Sequence, residues 1–358
     1  MSTQIVLPRV MQVGAGASQE IPNVLASLGC KRPLIVTDKV MVELGYAARI
    51  QQHLQQHRVF PDVFDATVPE PTVGSIQAGV EQARAGGYDC IIALGGGSPI
   101  DSAKAIAILA KHGGQMRDYK FPRIVLESGL PVIAVPTTAG TGSEVTRFTI
   151  ITDEACDEKM LCVGIDALTH AIEAYVSKKA NPYSDAQALA AMRLIAPNLR
   201  RAYHDGADEA AREAMMLGST LAGVAFSSAS VALVHGMSRP IGAFFHVPHG
   251  LSNAMLLPAV TAWSIPAAPE RYADCARAMG LANERDDTET ANRKLIAELE
   301  ALNDELQVPS PEGFGIERQR FFELLPVMAE QALASGSPGN NPRVPEADEV
   351  IELYRQLW

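Results

Sequence analysis

Residues 90–105 read CIIALGGGSPIDSAKA. The first five are apolar, and Ile91 and Ile92 are β-branched, which suits a strand buried on both faces. Gly95, Gly96 and Gly97 then turn into a helix whose opening turn holds Ser98, Pro99 and Asp101. Glycines let the backbone approach a ligand closely, and the unpaired N–H groups of a helix start attract anions. Pro99 suits that turn because its missing N–H would have no partner there. The stretch therefore reads as strand, phosphate-binding turn and helix, against the plainer reading of a tight turn that holds no ligand.

The same alternation repeats on either side. PLIVTD (33–38), RVFPDVF (58–64) and PVIAV (131–135) read as strands, and VTRFTIITD (145–153) as a further one. VMVELGYAARIQQHLQQH (40–57) and SIQAGVEQARAGG (75–87) have helical apolar spacing. Apolar strands separated by helices predict a Rossmann-like parallel sheet covered on both faces. After about residue 165 long Ala-, Leu- and Glu-rich segments follow one another, punctuated at Pro182, Pro248 and Pro309 to Pro311. The prediction is an α/β domain over 1–163 followed by an all-α domain over 164–358.

Of the 358 residues, 47% are hydrophobic and 20% charged, which excludes disorder over most of the length. Lys and Arg number 30 against 41 Asp and Glu, giving a net charge of −11. An acidic surface repels phosphate backbones and anionic lipid, so neither nucleic acid nor membrane is the expected partner. The five cysteines (Cys30, Cys90, Cys156, Cys162, Cys275) are scattered without a C-x-x-C pair, which is neither a disulfide framework nor a thiolate zinc site. The first residues lack a signal-peptide pattern, and no run approaches the roughly 20 apolar residues of a membrane span. A cytoplasmic location is expected.

A second loop strengthens the nucleotide reading. PVIAVPTTAGTGSEVT (131–146) ends an apolar strand in Thr137, Thr138, Gly140, Thr141 and Gly142. In open parallel sheets, ligands bind beyond the carboxyl ends of strands, where hydroxyls and mobile backbone suit a ribose or pyrophosphate. Asp38, closing an earlier strand, can accept from an adenosine ribose and disfavour a 2′-phosphate; it can equally cap the next helix. The dinucleotide fingerprint of three spaced glycines is missing.

The helical half carries metal-ligand chemistry. GIDALTHAIEAY places Asp166 and His170 four residues apart, on one helix face among Ile165, Leu168, Ala171 and Ile172. Buried polar groups need a partner, which a metal, a helix-capping role for Asp166 or a hydrogen bond within the pair would each supply. ALVHGMSRPIGAFFHVPHGLSNAMLLP adds His235, His246 and His249, with Pro240 and Pro248 precluding one straight helix. Spacing does not choose between His246 and His249. An oxygen with three imidazole nitrogens suits Fe²⁺ or Zn²⁺.

Together GGGSPIDSAKAIA, PTTAGTGSEVTRFTIITDE, GIDALTHAIEAYVS and HGMSRPIGAFFHVPHGLSNA resemble the iron-containing (group III) alcohol dehydrogenases. The likeness covers nearly the whole chain. It implies the architecture of dehydroquinate synthase, an N-terminal α/β domain binding NAD(P) and a C-terminal helical domain binding metal. By the motifs, Asp166, His170, His235 and His249 correspond to the metal ligands, and Gly96, Gly97 and Ser98 to the pyrophosphate turn, with Asp101 in the same helical turn. Thr137, Thr138, Thr141, Phe148 and Lys159 correspond to positions lining the cofactor, and Asp38 to an acidic position associated with NAD. The implied activity is metal-dependent hydride transfer between a small primary alcohol or diol and NAD, by a dimer or larger homo-oligomer.

Two departures from the family pattern bear on function. Arg239 stands where several members carry a histidine near the nicotinamide. KMLCVGIDALTH joins Lys159 almost directly to the metal-binding helix, where members place roughly 25–30 residues between the two, well beyond the usual connection. Two rival readings follow: a family member impaired or non-catalytic through this shortened junction, and a cyclising lyase of the dehydroquinate synthase type. The lyase would need several Lys and Arg for an acidic substrate, and the GMSRPIGAFFHVPHG region is poor in them. His246, Arg239 and Phe226 are candidates for the substrate pocket.

Overall fold

A computed structural model describes residues 5, 7–69, 71–119, 128–146, 149, 151 and 165–358. The described residues between Pro8 and Thr138, with Thr146, Thr149 and Ile151, form one compact unit. Ala139–Val145 and residues 165–358, with Ile5 and Leu7, form the other.

The first unit is built on four parallel strands: β1 (Pro33–Val36), β2 (Asp62–Phe64), β3 (Cys90–Gly95) and β4 (Val132–Pro136), in the order β2-β1-β3-β4. Its helices are α1 (Ile21–Leu28), α2 (Lys39–Glu43), α3 (Tyr46–Gln56), α4 (Val73–Gly86) and α5 (Gly97–His112). Ile35 is paired with Ile92, and Ile92 with Ile133. Strand alternation then divides the core. Leu34, Val36, Ile91 and Ala93 pack with residues of α4 and α5, whereas Ile35, Cys90, Ile92 and Leu94 pack with residues of α1 and α3. Every residue of β1 and β3 is buried, the pattern of a sheet covered on both sides. At the carboxyl ends, Thr37 Oγ1 donates to Leu94 O at 2.8 Å and Thr67 Oγ1 to Thr37 O at 2.7 Å.

Three expectations need correcting. The single helix read over 40–57 is two, because Gly45 takes a left-handed φ of 78° and turns the chain between α2 and α3. The strand read over 58–64 is confined to β2, since Arg58 has φ 62° and Pro61 lacks the N–H that a ladder requires. Val145 closes a short 3₁₀ turn, and Thr146, Thr149 and Ile151 are in no strand; the rest of 145–153 lies outside the described residues.

The second unit is helical: α6 (Ile165–Val176), α7 (Pro182–His204), α8 (Glu209–Ala229), α9 (Leu233–Phe245), α10 (His249–Ser264), α11 (Pro269–Ala278), α12 (Thr288–Glu305), α13 (Arg318–Ala334) and α14 (Ala347–Arg355). Asn181 caps α7 through a reciprocal pair with Ser184, and Pro182 takes the first helical position. Pro240 lies inside α9 without ending it. The break before α10 comes instead at His246, left-handed with φ 55°, and at Pro248, which precedes His249. Small residues let the helices approach closely: Gly223 of α8 leaves no room for a Cβ, which would lie 2.9 Å from Gly142 Cα and 2.7 Å from a Val145 methyl. Thus the Ala139–Val145 loop, read in sequence as part of the nucleotide half, packs on α8. Among the described residues no single helix is long and apolar enough to cross a membrane.

Candidate metal centre

The first two turns of α6 and the first turns of α9 and α10 bring four side chains to one buried place. Asp166 and His170 project from α6, His235 from α9, and His249 from the first position of α10. All four are buried, Asp166 at 1% exposure. Donor atoms of Asp166, His170 and His235 all lie within 4.8 Å of one another. Around the Asp166 carboxylate, His170 Nδ1 stands at 3.9 Å, His235 Nε2 at 3.4 Å and His249 Nε2 at 3.8 Å. An ion about 2 Å from each donor separates its ligands by roughly 3–4 Å, so the spacing fits a divalent cation. His246, the spacing rival of His249, is exposed at the end of α9 and outside this group.

The electrostatics keep two of the three imidazoles neutral beside one carboxylate. Burial lowers His170 to about 4 and His249 to about 3, despite the attraction of Asp166. Burial would raise Asp166, but His170, His249 and His235 hold it well below the usual carboxylate range. His235 behaves differently: burial alone would lower it, yet the carboxylates of Glu173 and Asp166 outweigh that and lift it to about 9. His170 Nδ1 is buried without a hydrogen-bond partner among the described residues. A buried ring nitrogen in that state is costly unless something occupies the site, and a cation would satisfy it.

Two neighbours were missed in the sequence. Glu173, buried on α6, sets Oε2 2.5 Å from His235 Nδ1 while Oε1 accepts from Val234 N at 2.7 Å. Asn253 sets Nδ2 2.6 Å from Asp166 Oδ1 and 3.2 Å from Nε2 of both His235 and His249. Both were within reach of the helical period: Glu173 follows His170 by three residues, and Asn253 follows His249 by four. Phe226 stacks on His170 at 4.2 Å between ring centres, fixing the plane of that imidazole. Arg239, half-buried one turn after His235, adds to the lowering of His249.

The proposed nucleotide residues divide between the units. Gly96 ends the β3 turn as the N-cap of α5, with no side chain capping it, and Gly97 and Ser98 open the helix. A Cβ on Gly96 would lie 3.1 Å from Thr138 Oγ1, so the two loops meet at Gly96 and Thr138. Thr138 Oγ1 is buried without a hydrogen-bond partner, and Thr137 N donates to Gly95 O at 3.0 Å. Asp38 caps α2, accepting from Met41 N at 2.9 Å. Asp101 is buried and lies 3.3 Å from Lys104 Nζ. Thr141 belongs to the helical unit, where its hydroxyl accepts from Ser143 N at 3.2 Å. Phe148 and Lys159 lie outside the described residues, as does the short connection between Lys159 and α6.

A second cluster, Cys30, Asp89 and Cys90, also brings donor atoms within 4.8 Å. Its carboxylate is already engaged, accepting from Lys31 N at 2.8 Å and Arg32 N at 2.9 Å. Burial pushes the Cys90 thiol far up, so this group is not poised as a thiolate site.

Comparison with known proteins agrees with the fold. The model of iron-containing alcohol dehydrogenases matches residues 8–171, and that of the C-terminal part of the Fe-containing alcohol dehydrogenase family matches residues 160–358. Lactaldehyde reductase of Escherichia coli strain K12 is 33% identical over 388 residues, covering 100% of both chains. That alignment is longer than the 358-residue chain, so the relative carries residues with no counterpart here. Among solved structures, 1,3-propanediol oxidoreductase superposes with a TM-score of 0.93 at 33% identity over 100% of both chains. Sulfoacetaldehyde reductase of Bifidobacterium kashiwanohense, solved with NAD⁺, gives 0.87 at 25% identity over 100% of this chain and 99% of its own. Family models matching both halves of the chain, with relatives and solved structures alike over its full length, place this chain in the iron-containing alcohol dehydrogenase family.

Proposed function

We propose that the protein is an NAD-dependent alcohol dehydrogenase, interconverting a small primary alcohol or diol and its aldehyde with the help of a divalent metal. The observation that carries the reading is the gathering of His170, His235 and His249 within 3.4–3.9 Å of the buried Asp166 carboxylate, with no hydrogen-bond partner for His170 Nδ1 among the described residues. These four residues would hold the metal, Fe²⁺ first and Zn²⁺ as the alternative. When bound, the metal supplies Lewis acidity toward the substrate oxygen, and NAD supplies the hydride acceptor.

The chain's own residues do the rest. Asp166 brings the negative charge that offsets a divalent ion, and burial keeps His170 and His249 in the neutral form a ligand requires. Low exposure of all four excludes bulk water, which strengthens every charge interaction at the site. For NAD, the uncapped start of α5 offers backbone N–H groups to a pyrophosphate, and Gly96 leaves the space beside Thr138 open. Ser98, Asp101, Thr137, Thr138, Thr141, Phe148 and Lys159 are assigned to the same cofactor, and Asp38 to discrimination against a 2′-phosphate.

The relatives' activities favour this reading over the cyclising lyase and over an impaired family member. The test is anaerobic chelation followed by Fe²⁺ readdition, with aldehyde-dependent NADH oxidation as the readout. Activity should vanish and return. Turnover that persists in fully demetallated protein overturns the metal reading, and metal binding with no turnover on any short aldehyde supports the impaired-member alternative.

A further inference from the structure

The geometry points to Glu173 as the residue that positions His235 for the metal, a role that rests on the metal reading of the site. Glu173 is buried at 3% exposure on α6, seven residues beyond Asp166 and three beyond His170. One helix therefore supplies two of the metal-facing groups together with the carboxylate that touches a third. Its two oxygens have different tasks. Oε1 takes the backbone N–H of Val234 at 2.7 Å, with that of His235 at 3.4 Å, and so ties the first turn of α9 to α6. Oε2 faces His235 Nδ1 at 2.5 Å.

Oε1 already accepts from Val234 N, and Oε2 accepts in its turn from His235 Nδ1, so Nδ1 is the donor of this pair. That leaves Nε2, 3.4 Å from Asp166 Oδ1, as the nitrogen that would face a metal. A histidine ligand whose other nitrogen is held by a carboxylate is fixed in tautomer and ring orientation and made more basic. The interaction acts through His235, so Glu173 is a positioning residue.

Glu173→Gln separates this role from simple packing. Gln has the size of Glu, and its carbonyl oxygen can still accept from Val234 N. Its –NH₂ then faces His235 Nδ1, donor against donor, which favours the tautomer with the proton on Nε2 and the lone pair turned away from the site. The experiment titrates metal-free wild type, Glu173→Gln and Glu173→Ala with Zn²⁺ against a chromophoric chelator. It also follows the His235 Nδ1–H proton by NMR in Zn²⁺-loaded, ¹⁵N-labelled protein.

The expected result is Zn²⁺ binding weakened by about 10–100-fold in Glu173→Gln, at least as far as in Glu173→Ala. The far-downfield Nδ1–H signal of wild type should disappear. If Glu173→Gln binds Zn²⁺ as tightly as wild type, or is much milder than Glu173→Ala with the Nδ1–H signal kept, the residue only packs and the proposal is overturned. Should Glu173→Ala fail to fold, the wild-type and Gln comparison and the ring signal decide the matter. Wild type that does not take up Zn²⁺ at all overturns the metal reading itself, a distinct outcome from wild type that binds and a Gln variant that binds equally.

Discussion

Asn253 Nδ2 stands 2.6 Å from Asp166 Oδ1, joining residues 87 apart in sequence, and its own Oδ1 is buried without a hydrogen-bond partner. The amide nitrogen also lies 3.2 Å from Nε2 of His235 and of His249, so its two hydrogens face three neighbours. Its positive end thus sits where the donor atoms converge.

This relationship sets a prediction about metal-free and metal-loaded protein. Asn253→Ala removes the N–H that balances a buried carboxylate, at a cost of about 1–3 kcal/mol without metal. A cation would take over that task, so the loss should be smaller in Zn²⁺-loaded protein. Scanning calorimetry of both forms should show the stabilisation by Zn²⁺ growing in the variant. Equal losses in the two forms would show that Asn253 acts by packing alone.

Asp38 separates helix capping from cofactor choice. Its side chain caps α2 at Met41 N. Asn is as good a cap, whereas Ala costs about 1 kcal/mol. Asp38→Asn should therefore keep the melting temperature while narrowing the preference for NADH over NADPH, measured as the ratio of kcat/KM. An unchanged ratio removes Asp38 from the ribose site.

The packing of Gly223 against Gly142 leaves no space for a methyl group. At Gly223 a Cβ would meet Gly142 O at 2.8 Å, and Gly142 itself has φ 60°. Backbone cannot yield as a side chain can, so Gly223→Ala should cost about 1–3 kcal/mol. Denaturant unfolding followed by helical circular dichroism measures it. A neutral substitution would mean that the Ala139–Val145 loop is not held on α8.

Asp89 supplies a pH-dependent contribution in the α/β unit. Burial would raise its carboxyl, but the N–H groups of Lys31 and Arg32 outweigh that and pull it below the ordinary value. A carboxylate lowered on folding stabilises above its ordinary pKa of about 4, and the contribution is lost as pH falls through the folded value. Because the group is half-exposed, solvent screens part of this effect. Hydrogen exchange at Lys31 and Arg32 should be faster in Asp89→Asn than in wild type at neutral pH. The difference should shrink in acid, and no difference at either pH would contradict this account.

Much of the site was legible because helical spacing is local. Asp166 and His170 four apart on an apolar stripe, and glycines between an apolar strand and a helix, express their chemistry within one turn of chain. Glu173 lies on the same stripe as those two and was passed over because a glutamate three residues from a histidine is ordinary on a solvated helix face; its burial decides its meaning. Asn253 carries no charge and looked like any polar residue of α10. The expectation that no single straight helix joins His235 to His249 holds, although the break falls at His246 to Pro248 and Pro240 lies within α9.

By itself the sequence determined the parallel sheet, the helical second half, the glycine turns and the inventory of donor atoms, because strand and helix periods are set by residues a few positions apart. Only the tertiary structure decided that Glu173 turns to His235, that Asn253 reaches Asp166, and that the Ala139–Val145 loop packs on α8. Those outcomes depend on which faces of separate helices are brought within hydrogen-bond range, and packing of the whole unit settles that.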